Sequence, residues 1–259
     1  MYIKGVFMEQ TKKICCVTGH RPKGFPWKYT GDPAEMYDFH FETVIESVVE
    51  KLILDGYNHF ICGGAIGVDT VFALSVLHWR DLKYPHITLE VAVPCPAQDK
   101  KWNKDDKAVY EEIITLADEV NVISEHYTKF CFHKRNEYMV NKSDLVLAVW
   151  NGEEKGGTYY TYQYALRHNK NTMVIRLQDV MREADECEAK NVAWQISKYG
   201  KPIPPVGTAE WEQFIEEQMQ DEEPTDPQER SKALEMALAD MNRITTRREK
   251  YYKNKRQIP

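Results

Sequence analysis

The chain predicts an α/β protein: a parallel sheet with helices on both faces, followed by a helical C-terminal extension. Three observations point there. From Ile14 to about Leu177, short β-branched runs alternate with amphipathic stretches, the rhythm of strand–helix–strand units. Several runs are apolar without alternation, as strands covered on both sides must be. After Leu177 the rhythm stops, and KPIPPVG (201–207), which suits neither a helix nor a central strand, precedes a strongly charged tail. The expected division is a domain over residues 1–178 and an extension over 179–259.

The strands are expected at Ile14–Thr18, His59–Cys62, Ile87–Val93, Val120–Ser124, Leu145–Trp150 and Thr172–Leu177. Between the first two, Asp32 reads as a helix cap, Pro33 and Glu35 suit the first turn, and Asp55-Gly56 closes the helix. Its buried stripe is expected at Tyr37, Phe41, Val44, Val48 and Leu52. Further helices are expected over Thr70–Arg80, around Arg135–Val140 and over Tyr159–His168. In the tail, Thr208 to Glu229 holds nine acidic residues and no basic one, whereas Arg243 to Arg256 holds seven basic and one acidic. Asp226-Pro227 begins a helix whose narrow stripe is Leu234, Leu238, Met241 and Ile244, a face suited to packing on a partner surface. This dipolar tail predicts a homo-oligomer, most simply a two-fold dimer.

Composition excludes several classes. With 34 basic against 40 acidic residues the net charge is −6, so no general field holds a polynucleotide, and nucleic acid is not an expected partner. No run approaches the ~20 apolar residues that span a bilayer, and MYIKGVFMEQTKK has no signal-peptide core, which predicts a cytoplasmic protein without a membrane partner. The six cysteines include no C-x-x-C pair, and His126, Cys131 and His133 match no standard metal site, so no metal is expected.

Four segments could hold a ligand, and three directly follow a strand. In open parallel sheets the crevice beyond the strands' carboxyl ends is where ligands bind. Thr18-Gly19-His20-Arg21-Pro22 offers a sharp turn and two side chains rich in donors. Gly63-Gly64-Ala65-Ile66-Gly67-Val68-Asp69 opens a helix and exposes backbone amides at its positive end, with Asp69 either capping that helix or accepting from a ribose or base. No G-K-[ST] follows, which disfavours ATP-driven phosphoryl transfer. Arg135-Asn136-Glu137 sits on the helix before the fifth strand, where an arginine can anchor a phosphate. Gly156-Gly157-Thr158 begins the next helix and again frees amides, with a hydroxyl as cap or ligand. Cys95, between two prolines at the end of the third strand, is a candidate nucleophile, and Trp102 a candidate base-stacking ring.

TGHRP, CGGAIGVD, VPCPAQDKKWNKDDKAVYEEI, HKRNEYMVNKSD and WNGEEKGGTYYTYQYAL, in this order over about residues 12–178, resemble the YpsA-like branch of the SLOG superfamily. That superfamily is Rossmann-like and includes the DNA-processing protein DprA and the Lonely Guy phosphoribohydrolases. The resemblance implies a nucleotide or ADP-ribose/NAD-type ligand held at the glycine-rich loops: Gly63, Gly64, Ala65, Gly67 and Asp69 on one wall, Arg135 and Asn136 on another, Gly156, Gly157 and Thr158 on the third, with Gly19, His20 and Arg21 beside them. No further cofactor is required. The phosphoribohydrolases carry a glutamate three residues past the threonine of their glycine loop, where this sequence has Thr161. Among carboxylates near the loops, Asp69, Glu137, Glu153 and Glu154 remain to stabilise an oxocarbenium-like transition state; with Arg135, Asp69 and Glu137 are the catalytic candidates. The expected function is to sense or sequester a nucleotide-derived small molecule. The alternatives are a hydrolase or transferase acting on an N-glycosidic bond, and a single-stranded DNA-processing protein.

Overall fold

The computed structural model describes residues 12–27, 32–96, 98–202, 204, 208–210 and 213–214. The tail helix predicted from Asp226, its apolar stripe and the dimer contact built on it lie outside the described residues.

Six strands, β1 (Ile14–Gly19), β2 (His59–Cys62), β3 (Thr88–Val93), β4 (Glu119–Val122), β5 (Leu145–Trp150) and β6 (Asn171–Arg176), form one sheet in the order β4-β3-β2-β1-β5-β6. Every neighbouring pair is parallel. The helices are α1 (Asp32–Leu54), α2 (Val68–Leu82), α3 (Lys104–Leu116), α4 (Cys131–Lys142), α5 (Gly156–Arg167) and α6 (Leu177–Tyr199). This is a Rossmann-like α/β architecture with a C-terminal helix. The chain divides between Met181 and Arg182 into two compact units, and α6 runs across that point.

Burial follows from position in the sheet. Central β1, β2 and β5 are buried almost throughout, whereas edge strand β4 alternates and exposes Val120 and Val122. Cys15 and Cys16 point to opposite faces, yet both are fully buried because helices cover each side. Phe60 meets Phe72 of α2, while Ile61, next along the strand, packs with Met139 and Val140 of α4 and Ala165 of α5. Helices α2 and α4 therefore lie on opposite faces.

The stripe of α1 differs in phase from the expected one. Phe41, Ile45, Val49 and Leu52 are buried, while Val44 and Val48 are half-buried. The pairs Val44-Ile45 and Val48-Val49 offer two adjacent helical stripes, and only the direction in which the helix meets the sheet chooses between them. Tyr37 is half-buried and joins Trp27, beside Phe25 and Phe41.

One buried charge organises the sheet's α4 side. Glu90, with no exposed side-chain surface, has His59 Nε2 at 2.8 Å and accepts from Lys142 Nζ at 2.6 Å, Tyr138 Oη at 2.7 Å and Asn121 Nδ2 at 3.0 Å. Burial alone would raise this carboxyl; the four partners overcome it and bring it from 4.5 down to about 2. Among the described residues, His59, Glu90 and Glu119 also group their ligand atoms within 4.8 Å, as a metal site would. The ammonium of Lys142 already serves as the cation there, 2.6 Å from Glu90 and 3.5 Å from Glu119.

Candidate functional site

The strand order reverses at β1, whose neighbours are β2 on one side and β5 on the other, and the chain leaves these strands in opposite directions. A crevice must open beyond their carboxyl ends. A cavity of about 290 Å³ lies there, lined by Val17, Thr18, Gly19, His20 and Arg21 from the end of β1, Ala65 and Asp69 from the β2–α2 turn, Phe132, Arg135, Asn136 and Met139 from α4, and Gly157 and Thr158 from α5.

Arg135 forms the cavity's inner wall. It is 6 % exposed, and its Nη1 lies 3.7 Å from Asp69 Oδ2, too far for a hydrogen bond; that Nη1 is buried and has no hydrogen-bond partner. Nε of Arg135 donates to Asn136 Oδ1 at 2.8 Å, Asn136 Nδ2 donates to Thr161 Oγ1 at 2.8 Å, and Thr161 Oγ1 donates to the Gly157 carbonyl at 2.7 Å. The guanidinium is thus oriented by a chain that ends on the first turn of α5. Thr161, in the place of the phosphoribohydrolase glutamate, spends its hydroxyl on this chain. Burial draws Arg135 below the usual arginine range and pushes Asp69 above its usual 3.8; in each case the other member of the pair opposes the shift.

The first glycine turn does a different task from the expected one. Asp69 is the second residue of α2, whose N-cap is Gly67 with no side-chain cap, so Asp69 does not cap the helix. Its Oδ2 accepts from the amides of Gly63 at 3.1 Å and Ala65 at 3.2 Å, two donors that were expected to face a ligand. Gln98 donates to the carbonyls of Gly63 and Gly64 at 3.3 and 3.0 Å. The glycines are required by tertiary packing. A Cβ at Gly63 would stand 1.4 Å from Arg135 Nη1, one at Gly64 2.9 Å from Val91 Cγ1, one at Gly67 2.6 Å from the His20 carbonyl, and one at Gly19 2.4 Å from Val68 Cβ. Gly63, Gly64 and Gly67 therefore support the cavity without lining it.

The second turn is open. Helix α5 starts at Gly156 after Lys155, without a side-chain cap, so Thr158 lies inside the helix rather than capping it. Gly156 holds φ at +82° and needs glycine for its backbone, and it does not line the cavity. Gly157 needs glycine for neither reason: its φ is not positive, and an added Cβ would meet nothing within 4 Å.

Of the remaining candidates, Glu137 is turned to the hydroxyl of Tyr160 and is absent from the lining. Glu153 pairs with Lys155 at 3.2 Å, outside the lining as well. Cys95 is buried, and Trp102 meets the Tyr110 ring edge-on at 5.3 Å, so neither reaches the cavity. His20 does; burial lowers it from 6.5, against the opposing influence of Glu153 and Asn151, and its Nε2 is buried without a hydrogen-bond partner among the described residues. Sequence reasoning missed Phe132 and Met139. The spacing 132, 135, 136, 139 places them on the same stripe of α4 as Arg135 and Asn136, a signal that was available. Gln98 gave no local signal.

The family model described as YspA SLOG family matches residues 15–182, a span that includes every residue of this cavity. The chain belongs to this SLOG family. Similar proteins include the "Uncharacterized SPbeta prophage-derived protein YoqJ" of Bacillus subtilis, 34% identical over 132 residues, 46% of this chain and 76% of that protein. A UPF0398 protein of Bacillus cereus is 27% identical over 183 residues (66% and 96%), and one of Bacillus pumilus 25% over 178 (68% and 94%). Family membership suggests a nucleotide-related role for the SLOG domain. Its cavity wall carries two guanidiniums, Arg21 and Arg135, against one carboxylate, Asp69, a balance that favours an anion. Among the described residues, no helix is long and apolar enough to cross a membrane.

Proposed function

We propose that the SLOG domain binds a nucleotide-derived small molecule by its phosphate, seated between Arg135 and the first turn of α5. One observation carries this reading: the buried Nη1 of Arg135 has Asp69 3.7 Å away but no hydrogen-bond partner, although a buried donor left without a hydrogen bond is destabilising and is seldom kept without a use. The uncapped start of α5 adds unpaired amides and a partial positive charge, and Gly157 leaves the space in front of them clear. A cavity of about 290 Å³ favours a nucleoside monophosphate over a ligand of ADP-ribose size.

Gly157→Ala separates binding from folding. Nothing stands within 4 Å of the added methyl and alanine is the better helix former, so thermal stability should be unchanged or up to about 1 kcal/mol higher. Calorimetric affinity for a nucleoside 5′-monophosphate should fall about tenfold or more, some 1.4 kcal/mol, because the methyl stands where the phosphate approaches. Equal affinity for the monophosphate and the bare nucleoside, or wild-type affinity in the variant, overturns the reading.

Asp69 keeps a second reading in view, as the one carboxylate in the cavity wall available to stabilise an oxocarbenium-like transition state. Base released well beyond one equivalent during incubation with nucleoside monophosphates, measured by chromatography, would make the domain a hydrolase instead of a binding module.

A further inference from the structure

We propose that Phe132 and Arg21 form a clamp for the nucleobase, so that this pair, and not the phosphate site, distinguishes a nucleotide from a sugar phosphate of equal charge. The proposal rests on the phosphate reading above and adds the part of the ligand that Arg135 does not touch.

Three observations support it. The first is the stripe on α4: Phe132, Arg135, Asn136 and Met139 all line the cavity at helical spacing. Phe132 lies three residues before Arg135, about 4.5 Å along the helix axis. A pentose occupies a step of that kind between its 5′-phosphate and its base, so a ligand anchored at Nη1 presents its base to the Phe132 ring. Between them Asp69, whose Oδ2 is taken by two amides, has Oδ1 for a ribose hydroxyl.

The second is the state of Arg21. It is exposed at the cavity wall; its carbonyl accepts from the Gly24 amide at 2.8 Å, and its side chain has no hydrogen bond and no ion pair among the described residues. Phe132 lies beside it: the guanidinium carbon stands 6.0 Å from the ring centroid. A guanidinium packed directly on a ring approaches to about 3.5–4 Å, and one with a planar group inserted stands about 7 Å away. The observed gap is near the second value, and a shift of about 1 Å in a solvent-exposed side chain admits a base. The third is Phe132 itself, a half-buried phenyl ring that lines a cavity whose other α4 residues include two polar side chains, Arg135 and Asn136. An aromatic surface beside a ligand's polar anchors is how proteins hold bases without reading their edges.

The test compares adenosine 5′-monophosphate, ribose 5-phosphate and adenosine by calorimetry on the full chain and on Phe132→Leu, which keeps an apolar side chain in the first turn of α4. Stacking on an aromatic side chain is worth about 1–3 kcal/mol, so the monophosphate should bind roughly 5- to 150-fold more tightly than ribose 5-phosphate. Phe132→Leu should remove most of that advantage and leave ribose 5-phosphate affinity unchanged; Phe132→Trp should keep it. If ribose 5-phosphate binds as tightly as the monophosphate, or if Phe132→Leu weakens both alike, the clamp is wrong while the phosphate site stands. If adenosine binds as tightly as its monophosphate and Phe132→Leu weakens both, the phosphate site is wrong and the clamp stands.

Discussion

Glu90→Gln is expected to destabilise the domain by about 3–5 kcal/mol at pH 7, because it breaks a buried ion pair while leaving Lys142, His59, Tyr138 and Asn121 around an uncharged amide. Guanidinium unfolding monitored by circular dichroism would measure this. The pH dependence gives a second readout. The folded carboxyl sits at about 2 against 4.5 when unperturbed, so between these values the unfolded chain binds the extra proton. Its contribution, of order 3 kcal/mol from the shift, is complete above pH 4.5 and is lost as pH falls toward 2. Wild type should therefore lose more stability than Glu90→Gln across that window. Parallel curves for the two proteins would show that Glu90 does not hold the network together.

Gly63→Ala and Arg135→Ala are expected to weaken nucleoside monophosphate binding each by about 10- to 100-fold, the value of a charge-assisted hydrogen bond. Together they should be little worse than either alone. The reason is geometric: a Cβ at position 63 falls 1.4 Å from Nη1 and 2.2 Å from Cζ, so the guanidinium must leave its place and the alanine acts through the arginine. A thermodynamic cycle of the four proteins reads this coupling directly. Additive losses would mean that Gly63 meets the ligand itself, as a phosphate cradle requires, and that its apposition to Arg135 is incidental. Melting curves accompany the cycle, since moving a buried arginine away from Asp69 also destabilises the fold.

The sequence by itself determined the six strands along the chain and most of the helices between them, though not α3, because apolar runs covered on both faces differ in composition from amphipathic helices, and that contrast is local. It also determined which loops gather at the carboxyl edge, since each follows a strand of a parallel sheet. The turn Gly156–Thr158 was legible for this reason, whereas Arg135 and Asn136, on helix α4, were legible from residue type and from the family resemblance. The tertiary structure decided what each residue does there. Gly63, Gly64 and Gly67 read as a phosphate cradle in one dimension, yet each faces a residue distant in sequence, Arg135, Val91 or His20, whose approach no local pattern encodes. Asp69 read as a possible cap, and instead its Oδ2 takes up the amides of its own loop. The phase of α1, the pairing of Glu90 with Lys142 across 52 positions and the unpartnered Nη1 of Arg135 belong to the same class. Periodicity fixes which side chains share a face; only packing fixes what that face meets, and so which donors are spent and which remain for a ligand.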